Sequence, residues 1–231
     1  MTGVLIQVRL GSSRLPGKAL LPLAGRPLIA HAMSALRGVE ADHWALITDP
    51  ESAEALQPIA EQGGYELFVG HPHHVLNRYV AAARTFGVTT IVRATGDNPL
   101  VSAALAQSAC DLHRREGADL TGWDDLPVGT GVEVVERAAL EIALSESADP
   151  YEHEHVTPFV YRRQDRFRVV RRAADGRFRM PDAQVTVDTP DDYLRVQRLF
   201  GECYRGTPVK IEEVIEWLRR EQAVSKAGGA P

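Results

Sequence analysis

The chain has 231 residues, of which 44% are hydrophobic and 25% are charged, so it can bury the core of one large α/β domain. Its formal net charge of −5 argues against a general nucleic-acid binder and against a membrane-surface protein. The first apolar run is too short for a signal peptide or a membrane span, and Cys110 and Cys203 form no metal-type spacing or disulfide framework. We therefore expect a cytoplasmic protein with no membrane or nucleic-acid partner.

The first half of the chain alternates short apolar runs with segments of helical periodicity. Strands are predicted over 3–8, 43–48, 65–69 and 89–94, and helices over 27–36, 49–61, 75–86 and 103–116. Repeated β-α-β units of this length predict an α/β fold with a mostly parallel, Rossmann-like sheet and helices on both faces. Ligands of such sheets bind at the carboxyl ends of the strands, where the loops gather.

The second half of the chain is less regular. It predicts strands over 132–135 and 185–187, helices over 138–145, 152–162, 191–200 and 211–221, and a hairpin between 167–172 and 177–179. The last ten residues, 222–231, are predicted to be disordered. The simplest organisation is one domain over 1–221 that carries a small irregular lid or dimerisation insert at about 122–184.

A loop within residues 7–18, with the sequence QVRLGSSRLPGK, follows the first predicted strand. It combines backbone amides around a glycine with two hydroxyls, two guanidinium groups and an ammonium group. These donors come from Arg9, Gly11, Ser12, Ser13, Arg14 and Lys18. A polyphosphate requires this mixture of fixed amides, forked guanidinium groups and a point cation. The loop therefore predicts a binding site for the triphosphate of a nucleotide, with an ordinary polar surface loop as the alternative.

Two common phosphate-binding motifs do not fit this loop. In a Walker A motif four residues separate the two glycines, whereas five separate Gly11 from Gly17. Ala19 also stands where that motif needs a magnesium-binding Ser or Thr. The dinucleotide fingerprint G-x-G-x-x-G is absent as well. A different class of nucleotide site is therefore expected.

The segment 7–28, QVRLGSSRLPGKALLPLAGRPL, resembles the opening of the cytidylyltransferases that activate 3-deoxy-manno-octulosonate and acylneuraminates, and more closely their spore-coat polysaccharide branch. Five further blocks match that branch in order. They are 75–79 (VLNRY), 92–100 (VRATGDNPL), 129–134 (GTGVEV), 154–158 (EHVTP) and 187–193 (VDTPDDY). The resemblance spans roughly residues 3–200. It implies the nucleotide-diphospho-sugar transferase type of sheet and a homodimer formed through the region around residues 135–175.

Two aspartates follow predicted strands in these blocks. Asp97 lies in T-G-D-N-P-L, and Asp188 lies in V-D-T-P-D-D. The resemblance assigns both to Mg²⁺, for which one or two protein carboxylates suffice because the ion keeps waters and substrate oxygens. The alternative role for each is a cap of the helix that follows it. In the case of Asp188, Asp191 or Asp192 could fill that role equally well.

The resemblance also assigns the remaining site residues. The nucleotide-binding set is Arg9, Leu10, Gly11, Ser12, Ser13, Arg14, Lys18, Arg78, Thr95 and Gly96, and the catalytic set is Arg14, Lys18 and Asp97. The acceptor-binding set is Glu133, Glu154 and His155, for which an ordinary strand residue and a helix start are the alternatives. Arg93 is predicted to form a structural ion pair.

Histidines and arginines form two further clusters. The histidines at 71, 73, 74, 153 and 155 lack the i, i+4 spacing or the cysteine partners of zinc sites, so we do not assign a metal to them. The six arginines between 162 and 172 predict a solvated hairpin face, with an anionic acceptor or a facing subunit's phosphate site as the alternative.

The predicted reaction is transfer of CMP from CTP to a small anionic acceptor, with Mg²⁺ as cofactor and pyrophosphate as the leaving group. The sequence leaves the acceptor open between a sugar acid, a phosphonate and a phosphate. One alternative is a guanylyl- or uridylyltransferase of the same fold, although those enzymes usually open with a glycine-richer loop. Another is a catalytically silent nucleotide-binding subunit of a polysaccharide assembly complex.

Overall fold

The computed structural model describes residues 1–228. Its strands are β1 (Thr2–Gln7), β2 (Pro22–Leu23), β3 (Arg26–Pro27), β4 (His43–Thr48), β5 (Glu66–Val69), β6 (Thr90–Thr95), β7 (Leu120–Asp124), β8 (Glu133–Glu136) and β9 (Val169–Ala173). Its helices are α1 (Leu28–Leu36), α2 (Pro50–Gly63), α3 (Val75–Thr85), α4 (Ala103–Glu116), α5 (Arg137–Glu146), α6 (Pro150–His155), α7 (Pro158–Tyr161), α8 (Pro190–Cys203) and α9 (Ile211–Gly228).

Seven of these strands form one sheet in the order β5-β4-β1-β6-β8-β7-β9. The neighbours β5, β4, β1 and β6 run parallel, and so do β7 and β9. Within the described residues, only β8 runs antiparallel to its neighbours in this sheet. The prediction of a mostly parallel α/β sheet is confirmed. The eight elements predicted up to residue 116 are all present, with ends that differ by no more than two residues.

Both faces of the central strands are buried, which explains their continuous apolar sequence. In β1, Val4 and Ile6 pack with α1, α2 and α4 on one face, and Leu5 packs with α3 and α5 on the other. Because side chains alternate across a strand, apolar residues at successive positions require a helical layer on each side. The predicted helices on both faces are therefore present.

The strand β7 is not predicted from the sequence, because Gly122 and the acidic end of the segment break its apolar pattern. Pairing with β8 on one side and β9 on the other holds it in place. The predicted hairpin is wrong: β9 pairs in parallel with β7, and Gly176–Phe178 is a 3-10 helix. Residues 122–184 therefore contribute strands to the central sheet, unlike the irregular insert that the sequence predicts.

Three other expectations need correction. The helix predicted over 152–162 is split into α6 and α7, because Val156 has a φ of 75° and Pro158 then starts a new helix. Residues 185–187 are an extended segment and not a sheet strand, held by single backbone hydrogen bonds such as Val187 N to Asp97 O.

The predicted disorder from residue 222 is wrong as far as residue 228, since α9 continues to Gly228. The segment contains good helix formers and no proline, so nothing in its sequence ends the helix earlier. Residues 229–231 of the predicted tail lie outside the described residues. Among the described helices, none is long and apolar enough to cross a membrane.

A capping box starts α8 and fixes the chain next to Asp188. Thr189 is the N-cap residue, and its hydroxyl accepts a hydrogen bond from the amide of Asp192. The Asp192 carboxylate accepts hydrogen bonds from the Thr189 amide at 2.9 Å and from the Asp188 amide at 3.2 Å. The capping role considered for Asp188 thus belongs to Thr189 and Asp192. The carboxylate of Asp188 contacts Lys18 and Arg14.

We predict that Asp192→Ala lowers the free energy of unfolding by about 1 kcal/mol, the usual effect of losing a helix cap. Urea denaturation at neutral pH measures this change. Asp191→Ala is the matched control, because Asp191 is an exposed acid in the same helical turn. Equal destabilisation by the two variants would contradict a specific role for the cap.

Candidate active site

The loop after β1 is closed by its own backbone. The carbonyl of Leu10 accepts hydrogen bonds from the amides of Ser12 at 2.9 Å and Gly17 at 3.0 Å. The amide of Leu10 donates to the Ser52 hydroxyl at 2.9 Å, which ties the loop to the start of α2. Gly17 takes a φ of 68°, where a side chain would be strained, and Lys18 follows it directly. The position of Lys18 is thus set by the fold of the loop.

The loops after β1 and β6 meet because those strands are parallel neighbours, with Gln7 opposite Thr95 at their ends. The amide of Gly96 donates to the Gln7 carbonyl at 2.8 Å. A Cβ atom at Gly96 would lie only 2.8 Å from Ile29 Cδ1 and 2.9 Å from Val8 Cβ, so only glycine allows this approach. The next residue, Asp97, therefore lies within reach of the loop that follows β1, where Lys18 Nζ donates to its Oδ2 at 2.8 Å.

Asp188 reaches the same place from a distant part of the chain. The backbone hydrogen bond from Val187 N to Asp97 O, at 2.9 Å, joins the segment before α8 to the end of β6. Lys18 then bridges the two carboxylates: its Nζ lies 2.8 Å from Asp97 Oδ2 and 2.8 Å from Asp188 Oδ1. The two aspartates that the sequence analysis pairs are thus within reach of one cation.

These residues line a cleft of about 340 Å³ at the carboxyl ends of the parallel strands. Of the predicted site residues, the cleft contains Arg9, Gly11, Ser12, Ser13, Arg14, Lys18, Thr95, Gly96, Asp97, Glu154, His155 and Asp188. This is the position where ligands bind to sheets of this type. The lining is rich in hydroxyls, amides and charges, as a site for a polyphosphate should be.

Each cation of the loop after β1 is paired with an acid of the same cleft. Arg9 contacts Glu154 at 3.0 Å, and Arg14 contacts Asp188 Oδ1 at 2.9 Å. Lys18 binds Asp97 as well as Asp188, and its side chain is only 12% exposed. Three cations thus stand opposite three carboxylates, so the cleft nearly neutralises itself.

The oxygens of Asp97 and Asp188 suit a hard divalent cation. One oxygen from each carboxylate is directed at the same point, at present the ammonium of Lys18. Among the described residues no third Asp, Glu, His or Cys completes a metal-binding cluster with them. Mg²⁺ needs no more than one or two carboxylates when a phosphate supplies further oxygens. The pair therefore fits a metal that binds together with a nucleotide.

Two residues predicted to bind the nucleotide do not line the cleft. Leu10 packs its side chain against the hydrophobic core. Arg78 is fully buried on α3 and donates to the backbone carbonyls of His71 at 2.9 Å and Pro72 at 3.1 Å. Burial lowers the pKa of its guanidinium, although the charge of Asp49 acts in the opposite direction. The structure thus places Arg78 as a support for the loop before α3.

A second cleft, of about 310 Å³, adjoins the first, and Arg93 and Thr95 line both. Trp123, Asp124 and Arg171 form part of its wall. From the sequence, only Arg171 is considered for an acceptor, as one of six clustered arginines, because the three residues meet only through the pairing of β7 with β9. The signal available for β7 was a short alternation of apolar and polar residues, which Gly122 interrupts.

Glu133 lies between the two arginines of the second cleft. Its Oε2 accepts hydrogen bonds from Arg93 Nη1 at 3.1 Å and Thr157 Oγ1 at 2.9 Å, and its Oε1 accepts from Arg171 Nη1 at 3.3 Å. Arg171 also binds Asp124 at 2.8 Å. Burial alone would lower the pKa of Arg171, but Asp124 and Glu133 raise it overall. The structure confirms the ion pair predicted for Arg93. Glu133 binds both Arg93 and Arg171 and so holds the two guanidinium groups in place.

The structure separates the predicted acceptor-binding residues. Glu133 lies in the second cleft, whereas Glu154 and His155 lie in the first. Glu154 pairs with Arg9, and the ring of His155 lies 4.2 Å from that of Tyr151. Glu154 and His155 therefore line the same cleft as the loop after β1, and Glu133 does not.

The histidine cluster before α3 has an internal hydrogen-bonding role. His71 Nδ1 accepts hydrogen bonds from the amides of His73 and His74, each at 3.1 Å. The ring of His74 also lies 5.6 Å from that of His153. An Nδ1 atom that receives two amide protons is already engaged and cannot bind a metal in this arrangement.

The six arginines between 162 and 172 do not form a free basic surface, since acids neutralise each of them. The partners are Glu152 for Arg162 and Arg163, Glu146 for Arg166, Glu116 for Arg168 and Arg172, and Asp124 with Glu133 for Arg171. Only Arg171 among them lines either cleft. The predicted hairpin face is therefore replaced by a network of ion pairs.

Comparison with known proteins identifies the family. The sequence profile of the cytidylyltransferases matches residues 3–222. The spore coat polysaccharide biosynthesis protein SpsF of Bacillus subtilis (strain 168) is 32% identical over 223 residues, which cover 94% of this chain and 93% of that protein. The family resemblance seen in the sequence motifs is confirmed by both findings.

Solved structures share the fold. A cytidylyltransferase from Leptospira borgpetersenii serovar Hardjo-bovis (strain JB197) superposes with a TM-score of 0.87 at 25% identity, covering 96% of this chain and 95% of that chain. CMP:2-keto-3-deoxy-manno-octonic acid synthetase, solved in complex with CTP, gives a TM-score of 0.67 at 18% identity over 87% of this chain and 98% of that chain. With a family profile that spans nearly its whole length and a site built from the matching motifs, the chain belongs to the cytidylyltransferase family of nucleotidyltransferases.

Proposed function

We propose that this protein transfers CMP from CTP to an anionic sugar-sized acceptor and releases pyrophosphate, with Mg²⁺ held by Asp97 and Asp188. One observation carries the proposal: Lys18 Nζ lies 2.8 Å from both carboxylates, directly after a loop that presents amides and cations. Membership of the cytidylyltransferase family supports CTP as the donor, and a protein of the same fold was solved with CTP bound.

The donor half of the reaction depends on charge and position. Arg9, Arg14 and Lys18 can leave their acids to bind phosphate oxygens, while amides and hydroxyls of the loop fix the triphosphate in one orientation. When bound, a divalent cation neutralises negative charge on the phosphate oxygens. An acceptor oxygen attacks the α-phosphorus, and where that oxygen belongs to a hydroxyl its proton passes to solvent. The bond between the α-phosphorus and the oxygen that bridges to the β-phosphate breaks, and pyrophosphate leaves with the electron pair. Donors already aimed at the phosphates stabilise the charge that develops.

The acceptor belongs in the second cleft, because it adjoins the first through Arg93 and Thr95. With a volume of about 310 Å³ this cleft is nearly as large as the nucleotide cleft, which favours a sugar acid over a bare phosphate or phosphonate. Arg171 is the more exposed of the two arginines in this cleft, at 35% against 17% for Arg93, and can turn from Asp124 to an acidic group on such a molecule. Trp123 offers an apolar face, and Asp124 can accept hydrogen bonds from hydroxyls.

We expect release of pyrophosphate when CTP, Mg²⁺ and the correct sugar acid are present, and none when the acceptor is omitted. A coupled pyrophosphate assay over sugar acids, phosphonates and phosphates, with GTP and UTP as alternative donors, measures this.

Asp97→Asn should reduce kcat by about 10²–10³-fold, the usual effect of losing one electrostatic contact at a reacting group.

Asp111→Asn is the control for this variant, because Asp111 is an exposed acid on α4. Turnover with GTP or UTP in preference to CTP would contradict the assignment of CTP as the donor and make the protein a guanylyl- or uridylyltransferase. Nucleotide binding without turnover of any acceptor would support a silent subunit instead.

We further predict that Arg171→Met raises the KM for the acceptor by about tenfold, equivalent to about 1.4 kcal/mol, and leaves the KM for CTP nearly unchanged. Arg172→Met is the matched control, since Arg172 is adjacent and pairs with Glu116 outside both clefts. Initial rates at varied acceptor and fixed saturating CTP give these values. A change in the KM for CTP alone would show that Arg171 contacts the nucleotide and not the acceptor.

A further inference from the structure

Lys18 occupies the position at which a cation shared by Asp97 and Asp188 would sit. Its Nζ makes 2.8 Å contacts with an oxygen of each carboxylate, and Arg14 adds a third cationic contact at 2.9 Å to the same Asp188 oxygen. The carboxylates are about one-quarter exposed, whereas the Lys18 side chain is 12% exposed. The ammonium is therefore enclosed between the two acids.

An ammonium group and a divalent cation compete for these oxygens. Both bind the lone pairs that the two carboxylates turn toward each other, and both carry positive charge, so close occupation by the two together is repulsive. Lys18 is also a natural partner for phosphate, because a lysine carries a compact charge on a flexible stem. The same ammonium group thus has two alternative sets of partners within one cleft.

The geometry points to an exchange of cations on Asp97 and Asp188 that makes metal binding depend on the nucleotide. Without nucleotide, Lys18 covers the two carboxylates and keeps their affinity for a divalent cation low. A bound triphosphate draws Lys18 and Arg14 onto its oxygens, which frees both acids for the metal. This inference rests on the proposed nucleotide and metal site, and it adds how occupancy of that site is controlled.

The backbone around Lys18 allows this exchange without a rearrangement of the loop. Hydrogen bonds from the Ser12 and Gly17 amides to Leu10 fix the main chain, so only the lysine side chain has to rotate. Arg14 is 63% exposed and can turn even more freely. By linkage, if nucleotide binding strengthens metal binding, then metal binding strengthens nucleotide binding by the same factor.

The first test measures binding of Mn²⁺ alone to the full-length protein, by electron paramagnetic resonance in the absence of nucleotide. Lys18→Met should bind Mn²⁺ on the order of tenfold more tightly than the wild type, within the range usual for coupling between two ligands. Arg9→Met removes the same charge from the same cleft, but Arg9 pairs with Glu154 and not with the metal carboxylates. Equal gains in both variants, or no gain in Lys18→Met, would overturn the exchange.

The second test measures CTP affinity by calorimetry in EDTA and remains decisive if Lys18→Met does not fold. Asp188→Asn should bind metal-free CTP on the order of tenfold more tightly, because Arg14 and Lys18 lose a shared partner. Asp191→Asn removes an equal charge nearby and should not. Failure of the proposed function would appear as absence of CTP binding and turnover in the wild type. A wild type that turns over CTP, with neither variant showing its gain, would reject only the exchange.

Discussion

The bridge that Lys18 makes between Asp97 and Asp188 is the interaction around which the rest of the site is arranged. The carboxylates of Asp97 and Asp188 come from loops far apart in sequence, and an oxygen of each lies 2.8 Å from Lys18 Nζ. Without a cation between them, two carboxylates this close would repel each other. Each partner is placed by its own piece of backbone. Gly17 and Leu10 fix the lysine, the end of β6 fixes Asp97, and a hydrogen bond from Val187 joins the Asp188 segment to Asp97.

We propose that the charge balance of the cleft gives the site two states. In the structure every loop cation has a carboxylate partner, so the cleft is compact and close to neutral. A triphosphate brings enough negative charge to take over those cations, and the released carboxylates then suit a divalent metal. The capping box of Thr189 and Asp192 contributes to both states, because it satisfies the start of α8 without using Asp188.

The sequence predicts the half of the structure whose signals are local. Strands and helices up to α4 alternate clearly, so the sheet, its loops and the position of Lys18 in the loop after β1 follow from the pattern. Asp97 and Asp188 depend on family resemblance, since two isolated aspartates resemble ordinary caps. The second cleft is not predicted because Arg171 and Asp124 meet only when β7 pairs with β9. Periodicity likewise places Arg78 on a helix but does not show that its guanidinium donates to the backbone carbonyls of His71 and Pro72.

A crystal structure of the protein with CTP and Mn²⁺ tests the central claim most directly, through anomalous scattering from the metal. The account predicts a manganese peak bound by Asp97 and Asp188, with the ammonium of Lys18 moved onto phosphate oxygens. A structure with CTP bound, Lys18 still between the two carboxylates and the manganese elsewhere would contradict it.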